Sequence, residues 1–558
     1  MEQTKKKGKT AGFIVFLVIE AFFLCLGLFF LIRQFPFKTL GCLLWGSVVF
    51  FLYLIRPGSP LHKMTAFFAA GETPAKKQSV LKTVLFASVC FVLILACTLP
   101  MGLSPAYNGE FPQHRNQYEL LARSFLHGHI YLEYDDIDPN LEKINPYSPA
   151  ERYESHVAYH SDNAYYKGKY YMYFGAVPVV LLFLPYLAIT GRDLTTYHAT
   201  QVFAAFAILG IFLLFWQIAK RYFKNMSQIM LLSLCTACAL ICVNCSISTP
   251  ALYCTATTSA VCMMVWSIYF FFTAIYLTPP EKRMRRVLLA VLGSFFGALT
   301  FGCRPSAGLG NLLLIPLCIE YIRSEAAAWK SKSGKEIAGL IGRVILVALP
   351  YIIIGALLMA YNNARFESPF EFGQTYQLTG ADQSQYASSM ENFSEVRIIN
   401  GILNNFIGFT PVVGQFPHIY FCSAFVNFPI LLFVFVHLFQ PVRKKLKEKK
   451  LGLYAAILFI TPLLTTVLQI GWAPGDGSAE RYRMDIYYIM VLLAFLCIGF
   501  LNESLKEEMR GKFGALVCIL CLEVLLICPL FNLYPCDFNY THLNPASLDI
   551  FQQIFLIP

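Results

Sequence analysis

Residues 160–186 read HSDNAYYKGKYYMYFGAVPVVLLFLPY. Five tyrosines, two lysines and an aspartate stand ahead of an apolar run that Pro178 and Pro185 interrupt. Whether that run crosses a membrane decides the course of the whole chain. The question arises because the 558 residues are 57% hydrophobic and only 14% charged, with a mean hydropathy of +0.55. Such a composition excludes a soluble protein of several globular domains and marks an all-α polytopic membrane protein. Apolar runs long enough to cross roughly 30 Å of hydrocarbon recur along the chain, separated by loops that hold most of its lysine and arginine.

The basic loops set the topology. KKKGK at the start, Arg56 to Lys82, Lys220 to Lys224, KRMRR at 282–286, Arg323 to Arg343 and RKKLKEKK at 443–450 mark the cytoplasmic side. Spans are expected at 11–32, 39–55, 83–103, 199–219, 228–248, 255–277, 287–303, 307–322, 344–361, 419–440, 451–471, 486–502 and 513–533. A further crossing at 174–190 would carry Lys220–Lys224 to the outer side, so this short, proline-broken run is assigned as re-entrant or interfacial. Broken backbone at that depth is tolerated only against protein or a water-filled cavity. The expectation is therefore about thirteen transmembrane helices with the N-terminus inside and the C-terminus outside. The first run continues to about Ile32 without a small-residue cleavage site and reads as a span, not a cleaved signal.

The net charge of +11 is spread over separate loops, not gathered on one face, so no nucleic-acid partner is implied. Most of the 18 cysteines lie in apolar runs, where a thiol behaves as a small hydrophobe; no disulfide framework and no structural zinc are expected.

Three polar stretches face outward on this count: 104–173, 362–418 and 472–485. In the first, Tyr118, Leu121, Ala122, Phe125 and Leu126 repeat with helical spacing and predict an amphipathic helix ended by Gly128, with a lid on the membrane face as its plain reading. Glu110, Asp135, Asp136 and Asp162 are carboxylates of this stretch that could serve as a general base if partly buried. Lys167 and Lys169 stand beside them at the lipid–water boundary. Arg365, at the start of the second stretch, either anchors a helix end by snorkelling or offers a planar fork to an anionic headgroup. In WAPGDGSAERYRMDIYY, Arg481 and Arg483 stand beside Asp485 on the side where positive charge is disfavoured, and Arg304 in CRPSAG repeats the anomaly. Carboxylates, arginines at span ends and a broken membrane segment together suit a substrate with a lipid tail and a phosphate head. No metal ligand set is assigned, and a divalent ion is left open.

The Tyr-Phe-Gly followed by Pro of YYKGKYYMYFGAVP, the string ARFESPFEFGQTY after a span and ERYRMD before a late one each resemble segments found, in this order, in bacterial members of the GT-C glycosyltransferase superfamily. Over roughly Lys82 to Phe531 the chain resembles that superfamily, near its family 39 protein mannosyltransferase type. The resemblance implies a GT-C-like arrangement with small outer loop helices. It also implies a multi-pass enzyme of the plasma membrane with an extracytoplasmic site, which moves a sugar from a polyprenyl-phosphate donor to a cell-envelope glycan, lipid or protein. On it, 1–80 is an added two-helix hairpin, 81–533 the catalytic module and 534–558 an extracytoplasmic tail. An acidic residue of the first outer loop is the superfamily's usual base. Relatives commonly carry an aspartate just before the tyrosine of Tyr-x-x-x-Ala, where this chain has Asn116-Gln117, so the base falls to Glu110 or Asp162. A lipid-linked glycan polymerase or ligase is a near alternative. A polyprenyl-lipid flippase or transporter should carry ionisable groups near the midplane, where this reading places one carboxylate, Glu20.

Overall fold

The computed structural model describes residues 2–66, 117–248, 252–327, 334–386, 393–409, 422–472, 480–531 and 546–556. The chain is an all-α polytopic membrane protein: among the described residues, ten helices are long and apolar enough to cross a membrane. Helix is the expected form for such runs, because a lipid-exposed backbone must satisfy its own polar groups. In chain order the helices used below are α1 (Glu2–Ile32), α2 (Pro36–Leu54), α3 (Gln117–Leu126), α4 (Leu184–Thr190), α5 (Thr196–Tyr222), α6 (Gln228–Ser248), α7 (Leu252–Phe272) and α8 (Arg283–Cys303). They continue with α9 (Leu314–Ala327), α10 (Gly334–Phe366), α11 (Glu395–Phe406), α12 (Gln440–Glu448), α13 (Gly452–Trp472), α14 (Glu480–Ser504), α15 (Glu507–Phe531) and α16 (Ala546–Phe555).

The expected span at 83–103 lies outside the described residues. The one at 419–440 differs in kind: it contains a 3-10 helix, Pro429–Leu438, of ten residues. At a rise of about 2.0 Å per residue this tighter coil reaches about 20 Å, further than an α-helix of equal length. The disputed run at 174–190 forms a π-helical turn, Val179–Phe183, followed by α4. Twelve residues from 179 to 190 rise only about 18 Å, too little to cross. Gly191, at φ +68°, ends α4 in the left-handed conformation.

The centre of the bundle is α14, buried over 94% of its apolar stretch, whereas α10 is buried over 6% and stands at the edge. The amphipathic α3 turns Tyr118, Leu121 and Ala122 inward. Tyr118 stacks on Phe183, with ring centroids 5.3 Å apart, so the broken segment is held against protein from the loop side. The YYKGKYY string folds as a hairpin of β1 (Ala164–Tyr166) and β2 (Lys169–Tyr171). Its two-residue turn has Lys167 at φ +48° and Gly168 at φ +75°, the geometry a type I′ turn demands.

At the chain ends, α16 lies on α2: the Trp45 indole donates to the Phe555 carbonyl at 3.1 Å. A Cβ at Gly41 would come within 2.3 Å of the Ile554 carbonyl oxygen, so a glycine is needed for the approach. The described cysteines are free; the C-x-x-C pairs Cys235/Cys238 on α6 and Cys518/Cys521 on α15 are buried in the common core. Glu523, on α15, is a second intramembrane carboxylate besides Glu20.

Candidate active site

Asp162 is fixed by three other segments of the chain. It precedes β1 at φ +59°, a left-handed conformation that Asp tolerates better than most residues. Its N–H donates to the Leu378 carbonyl at 2.9 Å, and its own carbonyl accepts from the Gln117 side-chain amide of α3 at 2.6 Å. The carboxylate accepts from the Tyr253 hydroxyl of α7 through Oδ2 and from the Gln377 amide through Oδ1, the latter at 3.2 Å. The side chain is half-buried, so it is oriented without being sealed off.

From Tyr253 the cluster runs inward. The Arg481 guanidinium lies over the Tyr253 ring at 4.4 Å from its centroid and over Tyr482 at 5.2 Å. Arg304 lies over the same Tyr482 at 5.1 Å, and its Nε is 3.1 Å from Asp485 Oδ2 and 2.9 Å from Ser306 Oγ. The Gln469 amide also donates to Asp485 Oδ2, at 2.8 Å. Asp485 is buried, and its Oδ1 has no hydrogen-bond donor among the described residues. Two carboxylates thus bracket two arginines and two tyrosines. The Arg481 guanidinium is surrounded by the phenols of Tyr482, Tyr173 and Tyr253 and hydrogen-bonds with that of Tyr482. Burial, and then the nearby Asp162 carboxylate, pushes the Tyr173 phenol up, so it remains a neutral donor at ordinary pH.

Local sequence explains how these pieces meet. A Cβ at Gly175 would fall within 2.0 Å of the Gly302 carbonyl oxygen, and one at Gly302 within 2.4 Å of Val177 Cγ2. The paired glycines let the Tyr-Phe-Gly turn press on the end of α8 just before Arg304. Arg365 holds the same turn from the other side: its Nη1 donates to the Met172 carbonyl at 2.6 Å and its Nη2 to Asn362 Oδ1 at 2.7 Å.

Of the residues singled out in the sequence, the structure brings Asp162, Arg304, Arg481 and Asp485 together. Arg365 is buried and engaged as a clamp. Arg483 points elsewhere, its guanidinium taken up by the Cys422 and Asn404 carbonyls and by Asn405 Oδ1 at 3.3 Å. Asp135 is exposed, and so is Asp136, which pairs with His160 Nε2 at 3.0 Å. Lys167 pairs with Glu367 at the surface, and Lys169 lies 4.3 Å from the Tyr131 ring centroid. Glu110 lies outside the described residues.

Sequence reasoning missed Tyr253, Gln117, Gln377 and Gln469. Tyr253 opens an apolar helix with no charge near it in sequence; Gln117 adjoins the position where the superfamily resemblance leads one to expect an aspartate, and that departure is its one signal.

No family model and no curated protein matches the chain. Among solved structures it is similar to the Archaeoglobus fulgidus oligosaccharyltransferase in the apo form, at 12% identity and a TM-score of 0.43, over 83% of this chain and 57% of that one. It is also similar to that enzyme tethered through a disulfide bond with an acceptor peptide containing the NVT sequon, at 12% identity and a TM-score of 0.41, over 82% and 55% of the two chains. The chain spans little more than half the length of these structures. A likeness of this strength carries no functional argument, which rests on the site.

Proposed function

We propose that the chain is an integral membrane glycosyltransferase of GT-C type that moves a sugar from a polyprenyl-phosphate donor to a hydroxyl of an extracytoplasmic glycan, lipid or protein. One observation carries the reading. The Asp162 carboxylate and the Arg481 guanidinium meet on a single tyrosine, Tyr253, with Arg304 one tyrosine further on.

A sugar that departs from a polyprenyl phosphate leaves behind a stable anion, so the leaving oxygen needs charge neutralisation more than a proton. Arg481 suits that role, because it is pre-positioned on two aromatic faces beside the ring that holds Asp162. Arg304 is half spent on Asp485 and adds to the local positive field. The acceptor oxygen attacks the anomeric carbon, the bond from that carbon to the phosphate oxygen breaks, and the hydroxyl proton passes to Asp162. The Tyr253 hydrogen bond orients the carboxylate and ties it to the same ring that seats Arg481. The site lies at the ends of α7, α8 and α14, where a lipid tail can stay in the bilayer while the head reaches the polar loops.

The test uses membranes given radiolabelled polyprenyl-phosphate sugar. Asp162→Asn is expected to lower transfer by about 10²–10⁴-fold, the usual worth of a general base. Arg481→Gln should lower it by about 10²–10³-fold, the scale of one lost charge-stabilising donor. Full activity in Asp162→Asn with loss in Glu110→Gln would move the base to Glu110. Movement of labelled lipid between leaflets without any transfer would replace the enzyme with a flippase.

A further inference from the structure

At the end of the bundle where the basic loops gather, α8 with the turn before it, α9, α10 and the turn between α12 and α13 line a half-open cavity of about 620 Å³. Its charged lining is balanced: Arg283, Arg323 and Lys450 against Glu281, Glu320 and Glu336. Lys450, at φ +60°, reaches Glu320 at 3.4 Å. Beneath the floor lies a buried ionic cluster. Arg286, fully buried, donates to the Ala274 carbonyl at 3.0 Å and to Ser324 Oγ at 2.5 Å, and pairs with Glu325. Arg343 Nε is 3.1 Å from the other oxygen of Glu325. Two arginines on one carboxylate leave a surplus positive charge under the cavity, and Ser324 belongs to both the floor and the cluster.

We propose that this cavity seats the headgroup of a phosphoethanolamine-type membrane phospholipid. A phosphate there faces Arg283, Arg323 and the buried surplus of positive charge. A purely anionic headgroup would also meet three carboxylates at close range. A choline has no N–H to give them, whereas a primary ammonium donates up to three hydrogen bonds. The cavity stands where spans enter the polar boundary, and by the distribution of basic loops that boundary is cytoplasmic. It lies at the opposite end of α8 from Arg304 and is independent of the transfer site.

The experiment is native mass spectrometry of the delipidated full-length protein in detergent, with dioleoyl phosphatidylethanolamine, phosphatidylcholine or phosphatidylglycerol added at equal concentration. One phosphatidylethanolamine should be retained, with an affinity about tenfold above that for either other lipid, the worth of one charge-assisted hydrogen bond. Glu281→Gln and Arg323→Gln should each erase the preference. Both side chains are exposed, so melting without added lipid should not change and a folding defect is distinguishable. Water-soluble glycerophosphoethanolamine should compete only at far higher concentration. Equal retention of all three lipids, a preference that survives both variants, or competition by the soluble headgroup at equal concentration would overturn the proposal.

Discussion

The molecule holds two arginine–carboxylate clusters, and they are built on opposite plans. Around Arg286 every guanidinium nitrogen is spoken for by the Ala274 carbonyl, Glu325 or Ser324, and the side chain is fully buried. Around Arg481 the guanidinium rests on aromatic faces, one of them the Tyr253 ring whose hydroxyl holds Asp162. The first is closed and holds α8, α9 and α10 in register. The second is seated on aromatic rings, a form suited to groups that meet a charged substrate. Burial of charge alone would not tell them apart; what the guanidinium rests on does.

The comparison breaks if the clusters answer to the wrong measurements. Glu325→Ala should show the largest effect on the folded state, about 3–5 kcal/mol, because it leaves buried arginine without its counter-charge. Loss of cooperative unfolding in denaturant titration, or failure to accumulate in membranes, checks this. Asp162→Asn keeps the size of the side chain and an oxygen that can accept from Tyr253, so the unfolding free energy should change by no more than about 1–1.5 kcal/mol, the worth of one hydrogen bond, while transfer collapses as set out above. Tyr253→Phe sharpens the contrast further: it removes the hydroxyl from Asp162 but keeps the ring under Arg481. It should slow transfer by about tenfold through misorientation of the carboxylate, the rate equivalent of one lost hydrogen bond of about 1–1.5 kcal/mol, with donor KM unchanged. A rise in donor KM instead would show that Tyr253 serves the lipid phosphate.

Much of the fold was legible because membrane spans and basic loops are local signals. The twelve residues from Val179 to Thr190 are short in the structure for the reason that made them suspect, the prolines and a charge count that did not close. The ten-residue 3-10 coil at Pro429–Leu438 was not legible, since hydropathy reports length in residues and says nothing of pitch. In the site, Arg304 and Arg481 could be found because arginine at these span ends runs against the charge pattern of the basic loops, and Asp485 because it stands beside them in sequence. Tyr253 could not: its role depends on a partner 91 residues away in Asp162. The same limit hid the partnership of Arg286 and Glu325, 39 residues apart, and made Arg365 and Arg483 look like Arg481. An arginine saturated by carbonyls and one seated on aromatic rings have the same spelling.

The docking of α16 on α2 has a consequence for how the chain is made. Trp45 and Phe555 are 510 residues apart, so the first hairpin leaves the ribosome long before its partner exists. At about 5–20 residues per second the wait is about 25–100 s. During it Gly41 and Trp45 present an uncovered groove to the bilayer, and the contact closes only after α16 has been made. The helix α16 is thus a late latch on an early hairpin.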